Sequence, residues 1–86
     1  MNVDFLVREI FVTSEARGNG VDAAYSDVKL GEKLDEDATR FFWRAIEEKF
    51  DMPVTSTQRN ALPTIGHVVH YVKVRLREEA KGRMRT

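Results

Sequence analysis

Three carboxylates stand in a row at Asp35, Glu36 and Asp37, just ahead of the run "ATRFFWRAIEEKF". Acids at a helix head accept from free backbone N–H groups and complement the positive end of the dipole, each contributing ~0.3–1 kcal/mol. They do not suit calcium, because consecutive side chains diverge and no loop of alternating oxygen ligands follows. His67 and His70, three residues apart, share a helix face but lack a third ligand, and the chain has no cysteine. No metal is expected. The serines are Ser14, Ser26 and Ser56, and none belongs to a visible nucleophile–base constellation. The chain is therefore not expected to be an enzyme.

The elements that position these groups fit in 86 residues, enough for one domain with one small core. Apolar residues are 42% and charged residues 33%, a globular and not a disordered balance. No apolar run approaches the ~20 residues of a membrane span, and "MNVDFLVREI" does not read as a signal peptide. A cytoplasmic location is the default expectation. Net charge is zero but unevenly spread. Residues 32–51 hold seven acids and four bases, net −3, whereas residues 73–86 hold six bases and two acids, net +4.

Val3, Leu6, Val7, Ile10 and Phe11 recur at helical spacing and predict a first helix over about 3–15, stopped by "RGNG" at 17–20. The stretch "VDAAYSDVKLGEKL" predicts a long loop with at most one short turn. A second helix follows Asp35 as its N-cap, with Ala38, Phe41, Phe42, Ala45, Ile46 and Phe50 as its apolar stripe. Phe42 is the expected core residue, with Phe41 and Trp43 on opposite flanks. "TSTQRNAL" predicts one short helix. Thr64 caps a last helix, whose buried stripe is Ile65, Val68, Val69, Val72 and Leu76. After Leu76 the periodicity fails, which predicts a domain over 1–77 and a basic, flexible tail over 78–86.

The expectation is an all-α fold: a bundle of three main helices plus one short helix, with a long loop between helices one and two. That order resembles the acyl carrier proteins, and the residues extend the resemblance across about 3–77. "AIEEKFDMPV" is similar to the end of the family's second helix, "LPTIGHVVHYVKVRL" to its last helix, and "KLG" at 29–31 to the Asp-Leu-Gly before its attachment site. Family members carry Asp-Ser-Leu at the head of helix two, with phosphopantetheine esterified to the serine. Aligned without gaps, Asp35, Glu36 and Asp37 occupy those positions, and Glu36 has no hydroxyl to esterify. No serine lies within residues 27–54. No cofactor is therefore expected, and phosphopantetheine enters only if the register differs.

By the same resemblance, helix two is the surface for a protein partner, such as a lipid or natural-product biosynthetic enzyme. The residues concerned are Asp35, Glu36, Asp37, Arg40, Phe41, Arg44, Glu47 and Glu48. Arg40 and Arg44 are expected to pair with acids three and four residues away, at ~0.2–0.5 kcal/mol each, and to alter partner choice. A monomer is expected. Two alternatives stand beside this reading. One is a genuine carrier modified at another serine. The other is a small anion- or nucleic-acid-binding protein using Lys73, Arg75, Arg77, Lys81, Arg83 and Arg85, although Glu78 and Glu79 interrupt that series and no aromatic platform accompanies it.

Overall fold

The structure, a computed structural model, describes residues 2–16 and 25–84. The turn expected at 17–20 and the start of the long loop lie outside the described residues. Among those described there are five helices and no strand: α1 (Val3–Ala16), α2 (Leu30–Lys33), α3 (Glu36–Phe50), α4 (Ser56–Asn60) and α5 (Ile65–Met84). The fold is all-α. α1, α3 and α5 are the three long helices expected, α4 is the short one, and α2 is the single short turn that the loop reading allowed.

α1 is the element against which both α3 and α5 pack. It buries Val3, Val7 and Phe11, while Leu6 and Ile10 are half-buried at the edge of the core. α3 contributes Ala38, Phe42, Trp43, Ile46 and Phe50, and α5 contributes Ile65, Val68, Val69 and Val72. The helical stripes read from the sequence are thus the faces that meet, with Leu6, Ile10, Phe41, Ala45 and Leu76 only half-buried at their margins. Met52, Val54 and Leu62, which lie in the connections around α4, are also buried and close the core on that side.

The helix ends follow from local chemistry. Asp35 caps α3, its carboxylate accepting from the Ala38 N–H at 2.8 Å. At the other end Asp51 takes a left-handed conformation (φ 52°), and Pro53 follows two residues later. Thr55 and Gln58 form a reciprocal capping box on α4. Thr64 Oγ1 accepts from the His67 N–H at 3.3 Å, as expected of the cap on α5. α5 runs on to Met84, past the last apolar position of its stripe. Arg, Glu, Ala and Lys are all good helix formers, so propensity carries the helix where the packing stripe ends.

The loop before α2 is tied across the start of α5. Leu30 N–H donates to the Pro63 carbonyl at 2.9 Å, Ile65 N–H to Val28 at 3.2 Å, and Gly66 N–H to Ser26 at 2.9 Å. These bonds satisfy two donors of α5's first turn that no intrahelical carbonyl can reach. The close crossing explains Gly66, where an added Cβ would sit 3.0 Å from the Ser26 carbonyl oxygen. On the same side, Arg8 of α1 donates to Ser26 Oγ at 2.7 Å and pairs with Asp4. That hydrogen bond from Arg8 is the main cause holding the Asp4 carboxyl below its ordinary range, with the charges of Arg8 and Lys73 adding to it.

Candidate functional site

The head and outward face of α3 carry the candidate site. Asp35 is committed as the N-cap, so its carboxylate has a structural duty. Glu36 is the first residue of the helix and its side chain is 84% exposed. Asp37 is 92% exposed, so its side chain faces solvent. Arg40 donates to Glu36 at 2.9 Å and lies 3.9 Å from Asp37, while Arg44 donates to Glu48 at 3.3 Å. These exposed pairs are the three- and four-residue contacts expected, and solvent keeps each worth ~0–1 kcal/mol.

Phe41 is half-buried at the edge of this face. It borders a hollow of about 140 Å³ shared with Leu6, Ile10 and Ala45, and another of about 230 Å³ beside Asp35, Asp37 and Ala38. An apolar side chain here is thus framed by acids on the α3 head and by aliphatic residues of α1. Arg40, Arg44, Glu36, Asp37 and Glu48 are exposed and within one face, with Phe41 beside them.

Glu47 behaves differently. Its side chain is 32% exposed and it accepts from Arg59 of α4 at 2.5 Å, across twelve residues of sequence. Arg59 also donates to the Val54 carbonyl at 3.1 Å and lies 5.8 Å from the centre of the Trp43 ring. Trp43 in turn meets Phe42 edge to face, with centroids 5.0 Å apart. The cluster fastens α4 to α3, and it buries Trp43 to 4% exposure. The sequence placed Trp43 on a flank, which is correct for its angle on α3, but α4 and Arg59 cover that flank. Beyond Arg59 lies a groove of about 510 Å³ between α2, α3 and α4, lined by Lys29, Thr39, Arg40, Trp43, Ser56 and Arg59 among others. Periodicity did not signal this groove, since its walls come from three helices and two of them are short.

The histidines are apart from this site. His67 Nδ1 is 2.5 Å from Thr64 Oγ1, and both histidines line an outward hollow on α5 with Tyr71 and Val74. Among the described residues no group of three or more histidine, aspartate or glutamate side chains is placed to hold a metal. No described helix is long and apolar enough to cross a membrane. The three serines have distinct settings. Ser14 is fully buried and donates to the Ile10 carbonyl at 2.8 Å, which closes it to any modifying enzyme. Ser26 and Ser56 are exposed, the first against Arg8 and the second in the first turn of α4.

No protein-family model matches the chain, and neither a curated protein nor a solved structure shows significant similarity to it.

Proposed function

We propose that the chain is a non-catalytic protein-interaction module: an acyl-carrier-like bundle without an attachment serine, which meets a partner protein through α3. The observation that carries this reading is position 36. It is the first residue of α3, directly behind the N-cap and 84% exposed, where a carrier of this element order would present its serine. Here it is a glutamate held by Arg40. The arm is lost, while an exposed, charged helix face with Phe41 at its edge remains for recognition. A biosynthetic enzyme that normally meets carriers is the kind of partner this face fits.

Two measurements test the reading. Co-expression with a broad phosphopantetheinyl transferase leaves the intact mass unchanged. A gain of one phosphopantetheinyl group, mapped to Ser26 or Ser56, would replace this reading with that of a carrier modified elsewhere. In parallel, the native chain retains a carrier-using enzyme that a Glu36→Lys, Asp37→Lys, Glu48→Lys variant releases. Retention unaffected by the triple change would move the docking surface off α3.

The basic residues of α5 support no competing reading. Glu78 and Glu79 stand among them, and Arg75 donates to its own neighbour Tyr71 at 2.7 Å. The full chain is expected to show no appreciable nucleic-acid binding at physiological salt. Tight binding that weakens steeply as salt is added, by release of counterions from phosphates, would reverse that ranking.

A further inference from the structure

The groove between α2, α3 and α4 gathers cationic side chains. Three cations line it, Lys29, Arg40 and Arg59, against one acid, Glu32. Each of the three is ion-paired, Lys29 with Glu32, Arg40 with Glu36 and Asp37, and Arg59 with Glu47. The carboxylates that pair with Arg40 and Arg59, namely those of Glu36, Asp37 and Glu47, are not among the lining residues.

The cations retain donors for a ligand. A lysine has three N–H groups and an arginine five, more than the pairs made here consume. Lys29 and Arg40 are 65% and 69% exposed, and ion pairs so exposed yield readily to a better acceptor. Arg59 is held in place by the Val54 carbonyl and Glu47, so its guanidinium needs little reorganisation. The floor is apolar, from the buried Leu30, Trp43 and Leu62. A volume of about 510 Å³ falls within the range of small-molecule sites.

We propose that this groove binds a small organic phosphate. The phosphoryl oxygens lie among Lys29, Arg40 and Arg59, where they take up the donors those ion pairs leave over and arginine's fork suits their geometry. The organic part covers the apolar floor beside Trp43. The site is reversible and non-covalent, and it rests on the groove alone, without the carrier-like reading.

Trp43 is the sole tryptophan, so its emission reports directly on the groove. Titration with n-hexyl phosphate is expected to change that emission saturably and to raise the melting temperature. Lys29→Glu with Arg40→Glu, both exposed and outside the core, weakens binding by about tenfold or more while circular dichroism stays native. Hexanol, which lacks the charge, and inorganic phosphate, which lacks the apolar part, bind more weakly than hexyl phosphate. The proposal is overturned if neither readout responds saturably to hexyl phosphate, if the double variant binds as tightly as the native chain, or if hexanol or inorganic phosphate binds equally well. No carrier enzyme enters the assay, so its outcome is separate from that of the α3 docking experiment.

Discussion

Phe42→Ala is expected to lower stability by ~3–5 kcal/mol, the usual cost of deleting a buried phenyl ring and leaving a cavity. Phe42 is fully buried within the cluster that α1, α3 and α5 share. Its loss also removes the edge-to-face contact with Trp43, and with it the surface on which the Trp43–Arg59 stack rests. Small domains have only ~5–15 kcal/mol in total, so the variant sits near the limit of folding. Urea titration followed by circular dichroism measures the effect. Phe5→Ala is the matching control, because Phe5 is 61% exposed on α1 and its removal should stay within ~0.5 kcal/mol. A Phe42 variant as stable as the control would mean that α3 presents another face to the core.

The contrast between those two phenylalanines shows where the sequence was readable. Phe42 lies on a stripe with Ala38, Ile46 and Phe50, and that spacing alone assigns it to the core. Asp35 and Thr64 announce their helices because a cap acts on N–H groups two or three residues away, within reach of a local pattern. Contacts that span the fold left no such trace. The tie between Ser26–Val28 and the start of α5 is made of backbone hydrogen bonds between residues nearly forty apart, to which side-chain types contribute little. Only Gly66 hints at it, and a glycine inside a helical pattern has several possible causes.

The candidate site divides in the same way. Arg40 and Arg44 find acids at helical spacing, because an exposed helix offers no nearer partner. Glu47 has the same spacing available but turns to Arg59, whose partly buried guanidinium also needs the Val54 carbonyl and the Trp43 ring. Position 47 therefore belongs to the α3–α4 junction, and the groove beside that junction became visible only once α2 and α4 were placed. Of the eight residues read together from the sequence, Glu36, Asp37, Arg40, Arg44 and Glu48 are exposed on one face, with Phe41 at its edge.

Glu36→Ser with Asp37→Leu is expected to let a broad transferase load phosphopantetheine at residue 36, at least slowly. The change recreates Asp-Ser-Leu behind Asp35, whose own bond to Ala38 N–H is untouched. Both replaced side chains are exposed, so the core is unaffected, and the loss of two acids near the helix head costs ~1 kcal/mol. The new apolar side chain at position 37 would serve as a recognition element for the transferase, beside the hollow that this position shares with Asp35, Ala38 and Phe41. Removing Glu36 also leaves Arg40 without its 2.9 Å partner, adding an unpaired cation beside the new hydroxyl. A basic transferase surface would be repelled by Arg40 and Arg44, so neutral replacements at both should speed loading. Intact mass gives the yield, and fragmentation places the group on residue 36. If the four-residue variant is folded by circular dichroism yet never gains mass, the head of α3 is not a lost attachment point. Asp35, Glu36 and Asp37 would then be explained by capping and dipole compensation alone, and the docking surface would have to be sought on other grounds.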